Sequence, residues 1–532
     1  MAYIAPNSIV ELFGDIGLND NYTDTYYFPN EATKTTYFNN LTKVGVSATP
    51  LSYNRENRNE VKLELPMSQI YNAAYMRFKN TSFENKWFYA FIDNVEYISN
   101  NCTCVHYHLD PMMTWMGVFT LEECFVERQH TVTDEIGVHT IDENLETGEY
   151  ISQAQYTTPY FDDYTIIIFQ SESAGDDAGH VEGLTYGGIY SGLHMYFCTN
   201  AASANQHLEA LTQNKKYEIV VMIMMLPTAW LPDHILGSDS PITHTFHTTK
   251  PYSSLNGYTP RNKKLFTYPY NYLCVYNTEG SYTDYKWEYF ESVPGQISVG
   301  NANFDIIGSV NAQTEIACIP KNYKGIANNY AEKISIKNFP KCSWNVDTYK
   351  AYLAQQQSDL AVNLVGTGIN ALMSRKVNSG VEISEDEDED GGGRSRKGVG
   401  YHTTLASISN VLATAIVHPT MPGLNRGQQT NDLMAGLKAK NFYFYHMCIT
   451  EPYARSIDNY FDLFGYAIHR RQMPNMHARP YWTYVKTIGC QVSGAVPADD
   501  ASAIENIFNN GIRFWQSPAK IGDYFTYDNS VS

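Results

Sequence analysis

Lys86 to Ile98 reads KWFYAFIDNVEYI, and after Ser99, Asn100 and Asn101 the chain continues CTCVHYHLD from Cys102 to Asp110. Both runs are rich in aromatic and β-branched residues, which fit a pleated, half-buried surface. The Ser-Asn-Asn between them is turn chemistry, so the pair predicts a β-hairpin. The same texture recurs along the chain in IIIFQ (Ile166 to Gln170), IVVMIMML (Ile219 to Leu226), FTYPYNYLCVY (Phe266 to Tyr276) and FYFYHMCI (Phe442 to Ile449). A mainly β protein is predicted, with one helix expected from Asp499 to Phe508, its start favoured by acids.

The chain has 532 residues, 43% hydrophobic and 14% aromatic with only 17% charged, a balance that excludes global disorder. At about 150 residues per domain, three to four domains are expected. Lys and Arg total 37 against 56 Asp and Glu, for a formal charge of −19, so the general surface cannot bind nucleic acid by neutralising phosphates. Nine scattered cysteines do not form a disulfide framework and fit folding in a reducing cytoplasm. The N-terminus carries no Lys or Arg before Lys34 and no signal-peptide apolar core, so export by a signal peptide is not expected. The longest unbroken apolar run, Ile219 to Leu226, is far short of the roughly 20 residues a membrane-spanning helix needs.

One stretch breaks the β texture. From Tyr349, Leu353, Leu360, Leu364 and Leu372 recur at helical spacing, with Gly366, Gly368 and Ile369 among them. Glu382 and the consecutive acids Glu385, Asp386, Glu387, Asp388, Glu389 and Asp390 follow, then three glycines and the basic Arg394, Arg396 and Lys397. A second helical pattern runs through Leu405, Ile408, Leu412 and Ala415, and Ile416 beside it is counted with the apolar residues of the insertion. The reading is two apolar, small-residue-rich arms joined by a charged, solvated tip. The resulting division is 1–130 as a first β block, 131–345 as a second, 346–440 as a hydrophobic helical insertion, and 441–532 as a last β block.

Chemical motifs are weak. Cys102, Cys104, His106, His108 and Asp110 have one parity and would share a strand face, as metal ligands from one strand must. The His that normally follows the Asp of an H-x-H-x-D triad is Pro111, and no other ligand cluster is apparent, so these are read as polar residues lining one face of a sheet or tube. Gly366, Gly368 and Ala371 spell G-x-G-x-x-A without the βαβ context of a dinucleotide site. Asp386, Asp388, Asp390 and Gly391 open like a calcium loop, but the twelfth position is Lys397 and not Glu. No catalytic residue, cofactor or metal is expected, and the chain is read as a non-enzyme.

Several segments together resemble the tail knob, or distal tail tube, proteins of short-tailed phages of the phi29 type. They are NDNYTDTYYF from Asn19, YNRENR from Tyr53, IYNAAYMRFKN from Ile70, LDPMMTWM from Leu109 and FVERQH from Phe125. After the insertion come YARSIDNYFDLFGY from Tyr453, RPYWTYVKT from Arg479 and NNGIRFWQSPAKIGDY from Asn509. The resemblance covers roughly the first 145 and last 80 residues in collinear order; residues 150 to 340 are unmatched.

What the resemblance implies is a homohexamer at the distal end of the virion tail, with tail-tube-type β-barrel domains around a channel. Upper tail (lower collar or tube) proteins would be its neighbours, and phage genomic DNA would pass through the lumen without specific binding. The insertion would plug the channel and, once released, penetrate the host membrane. The acidic Gly-rich tip is a departure from the family pattern. An alternative reading makes the unmatched middle block an adhesin for host cell-wall carbohydrate, because Tyr and Trp stack well on sugar faces.

Overall fold

A computed structural model describes residues 7–47, 59–172, separate stretches between 180 and 343, the pair 428–429, and 440–531. The chain forms two units, each discontinuous in sequence: 1–150 with 253–271 and 449–532, and 151–252 with 272–448.

The first unit begins with β1 (Ser8–Phe13), β2 (Thr25–Tyr26), β3 (Lys43–Val46), β4 (Glu60–Leu63), β5 (Tyr75–Asn80), β6 (Trp87–Ser99) and β7 (Cys102–Leu109). Six of these make one sheet in the order β3-β1-β5-β6-β7-β4. The predicted hairpin is β6 with β7, joined at Asn100 and Asn101, and bulges at Ile92/Asn94 and Tyr97/Ser99 bend it. Tyr89, Ala90 and Phe91 are buried in the body of the sheet, whereas Tyr97 and Ile98 near the turn are exposed. A second sheet runs from β2 through Ile512–Trp515, Trp482–Ile488 and Cys124–Gln129 to Tyr466–Gln472. Its core packs Trp482 against Trp515, ring centroids 5.0 Å apart and planes tilted by 45°. Each side chain is fully buried, worth roughly 1.5–3 kcal/mol.

Three helices in this unit differ in legibility. Ala498–Asn510 is the predicted one, with Asp499 and Asp500 in its first turn. Glu31–Asn40 and Glu451–Phe464 appear where β texture was expected. Asn30 starts the former by accepting from the Thr33 N–H, a cap worth about 1 kcal/mol. The latter buries Ala454, Ile457, Asp458, Phe461 and Asp462. That spacing is helical, but two of the five buried positions are acids, which hides the apolar period. Gly465 ends the helix at φ +64°; a Cβ there would meet the Gln129 carbonyl carbon at 2.3 Å.

The acids of this helix fasten the excursion 253–271. Asp458 accepts from the Tyr258 hydroxyl at 2.7 Å, from the backbone N–H groups of Arg261 and Asn262 at 2.8 and 3.0 Å, and from Asn262 Nδ2 at 2.9 Å. Asp462 pairs with Arg261 and accepts from Asn262 Nδ2 at 2.7 Å. Burial raises the Asp462 carboxyl to about 6, against the pull of Arg261. Nearby, buried Glu143 joins Lys264 and Arg128 and accepts from the Ala467 N–H at 2.9 Å.

The second unit is built from three larger sheets. Tyr150–Thr157, Phe442–Ile449, Asn271–Asn277 and Tyr282–Tyr285 form one. Tyr164–Gln170 and Val220–Pro227 are central in another, paired from Tyr164↔Pro227 to Gln170↔Val220. Ile242–Thr249, Asn301–Gly308, Ile316–Pro320 and Ile334–Ile336 form the third. The run from Phe266 is strand only from Asn271 on. Lys263–Phe266 is a short 3-10 turn, and Pro269 has no N–H to donate to a ladder. Phe442, Phe444, Trp230, Trp287 and Phe304 meet in the core.

Candidate functional site

The predicted insertion residues Leu360, Leu364, Gly366, Gly368, Ile369, Leu372, Leu405, Ile408, Leu412 and Ile416, and the acids Glu385 to Asp390, lie outside the described residues. Among the described residues no helix is long and apolar enough to cross a membrane. Residues on either side of this stretch converge on an acidic turn of the second unit.

One holding group among the described residues is Glu279, in the turn between strands Asn271–Asn277 and Tyr282–Tyr285. Buried Asn277 shapes that turn, its Oδ1 accepting from the N–H groups of Glu279 and Ser281, each at 3.0 Å. Its Nδ2 donates to the Ser335 carbonyl at 2.7 Å, tying the turn to strand Ile334–Ile336. Gly280 takes φ +88°, a conformation glycine adopts without steric cost. So positioned, the Glu279 carboxylate accepts from the Lys337 N–H at 3.2 Å, on the N-terminal side of the insertion. The same carboxylate meets the Lys440 ammonium at 3.0 Å, on the C-terminal side. Lys440 is only 3% exposed in its side chain and lies over the buried Phe339 ring. A carboxylate that meets a desolvated ammonium matters more than a surface partner would. The short strand Gln428–Gln429 also returns to Lys341–Ser343, pairing Gln429 with Cys342. Nothing in sequence spacing singles out Glu279, because its partners lie about 60 and 160 residues away.

The polar series on β7 is divided by its neighbours. His108 Nδ1 lies 2.6 Å from Asp93. Asp110, past the end of the strand, caps the helix Pro111–Trp115 by accepting from the Met113 N–H at 2.9 Å. The Tyr22 and Tyr75 hydroxyls also donate to it, at 3.2 and 2.8 Å, and burial raises its carboxyl above the ordinary range. Cys104 and His106 instead come together with Glu60 of β4, their donor atoms lying within 4.8 Å of one another. Sequence reasoning missed Glu60, which reaches them through the register of a strand more than 40 residues away.

Residues 240–530 match the family model described as Bacillus phage phi29 tail knob protein gp9, C-terminal domain. Residues 6–120 match a model of the N-terminus of caudoviral major tail proteins. The chain is 25% identical to tail knob protein gp9 of Bacillus phage phi29, covering 98% of this chain and 99% of that one. It is 24% identical to tail knob protein gp9 of Bacillus phage B103, over 100% of both chains. The solved tail knob protein gp12 of bacteriophage C1 superposes with a TM-score of 0.59 over 97% of this chain and 98% of that one. At 14% identity this is a likeness of fold.

Proposed function

The chain belongs to the phi29-type tail knob family of structural phage tail proteins, and from that premise we propose that it forms the distal tail tube through which the genome is ejected. In this reading six copies surround a channel, with 1–130 and 441–532 walling the tube and 131–345 forming the outer or lower knob. Residues 346–440 plug the channel until release and then penetrate the host membrane. Upper tail proteins are the neighbours, and the virion tail tip is the location.

The observation that carries this reading is the order of parts. A match to major tail protein N-termini at 6–120 precedes a knob match at 240–530, and the apolar insertion falls inside the latter. The charge supports it: a conduit gains nothing from Lys or Arg on phosphates, each of which adds affinity and friction, and the −19 balance favours a duplex sliding on water and counterions. The Glu279 clasp supports it too, because two apolar arms need holding until ejection, when exposed apolar surface would otherwise aggregate virions. Once free, small residues such as Gly366 and Gly368 permit close helix packing in a bilayer. The six acids from Glu385 oppose entry into hydrocarbon until they are protonated or carried across.

Light scattering during gel filtration, followed by negative-stain imaging of the full chain, tests the tube; six-fold rings or short tubes are expected. A monomer that also fails to form rings on purified upper tails would overturn it. Liposome leakage tests the membrane step and should be stronger at pH 5 than at pH 7.5, with equal leakage refuting the role given to the acids.

A further inference from the structure

We propose that Glu60, Cys104 and His106 form a binding site for a divalent cation of the zinc type, with Glu96 as the carboxylate behind the histidine. Register puts the four on one sheet face: Glu60 is opposite His106 across β4 and β7, Glu96 is opposite Cys104 across β6 and β7, and Cys104 and His106 are two apart. His106 Nδ1 lies 3.4 Å from Glu60 Oε1, close to the separation of two ligands each about 2.0–2.1 Å from a tetrahedral zinc. On the other side of the ring, Nε2 lies 3.0 Å from Glu96 Oε2. A carboxylate there fixes the proton on Nε2 and leaves the Nδ1 lone pair for a metal, the arrangement that orients histidine ligands in metal sites generally.

The surroundings favour a cation of this class. Cys104 is 3% exposed, and its sulfur lies within 4.8 Å of the Glu60 and His106 donor atoms. A divalent ion among these groups would take the sulfur as its thiolate, with release of the proton. A sulfur and an imidazole select zinc over magnesium or calcium, which prefer oxygen. The Glu60 and His106 side chains are 28% and 29% exposed, leaving an approach for the ion and room for water as a fourth ligand. Because β4 is, among the described residues, the edge strand of its sheet, next to β7, the ion would staple that edge.

Chelator-treated full-length chain titrated with Co2+ tests the site. The expected result is one equivalent bound per chain, with a thiolate-to-cobalt charge-transfer band that Zn2+ displaces and Mg2+ does not. Zn2+ should also raise the melting temperature. Cys104→Ser should remove the band. His106→Gln, at a partly exposed position that leaves the core intact, should weaken binding at least about tenfold, and Glu96→Gln about 10–100-fold with the band retained. Absence of the band in the natural chain, or a band unchanged in both Cys104→Ser and His106→Gln, would overturn the proposal.

Discussion

Two excursions of this chain are secured in opposite ways. Residues 253–271 are fastened by a buried network in which Asp458 alone accepts four hydrogen bonds and Asp462 adds an ion pair with Arg261. The flanks of the insertion converge on one carboxylate, Glu279, whose side chain is 17% exposed. A network of desolvated charge-assisted bonds spreads the hold over several groups, whereas a shared carboxylate couples its two partners, so that losing it loosens both. Under the proposed function, the first arrangement suits a part that stays and the second a part that is let go.

The contrast is broken most directly at Asp458. Asp458→Ala would strand several buried donors at once and should cost about 3–5 kcal/mol in urea denaturation of the full chain; a loss below about 1 kcal/mol would mean that water replaces the carboxylate. Gly465→Ala, which combines positive φ with a backbone clash, should cost about 2 kcal/mol or more by the same measurement.

Acid sharpens the comparison, since one buried group in each unit responds with opposite sign. The raised Asp462 carboxyl means the folded first unit holds a proton that the unfolded chain releases above about 4. Its stabilising contribution is therefore present below that pH and lost as pH rises through about 6, at most about 3 kcal/mol. In the second unit, burial lowers His446 to about 4, so its contribution is present above about 6.5 and lost as pH falls through about 4. Melting profiles of Asp462→Asn and His446→Gln between pH 4 and 7.5 should each remove one of these slopes. The smallest effect on overall stability is expected from Glu279→Gln, about 1–2 kcal/mol. Limited proteolysis at the flanks of the insertion should nevertheless accelerate clearly, and unchanged cleavage would show that Glu279 is not the clasp.

Legibility in the sequence followed the range of the interactions involved. The β6–β7 hairpin could be read because its aromatic runs and the Ser99-Asn100-Asn101 turn are contiguous. Helix 451–464 could not, because Asp458 and Asp462 sit on its buried side and pair with a segment about 200 residues earlier. Glu60 and Glu279 escaped for the same reason: register and turn geometry bring them to partners that no local period announces. The family resemblance reached the two ends of the chain from aromatic order alone, while the family match begins at residue 240 and so takes in part of the middle block.

The sheet that joins Tyr150–Thr157 to Phe442–Ile449 also sets a schedule for synthesis. At about 5–20 residues per second, the earlier strand waits roughly 15–60 s on the ribosome before its neighbour exists. An apolar edge left open that long would recruit other nascent chains. The waiting strand reads YISQAQYT and buries none of its residues fully even in the finished sheet, so delay costs it little. The sticky partner, FYFYHMCI, is made last and meets a template already in place.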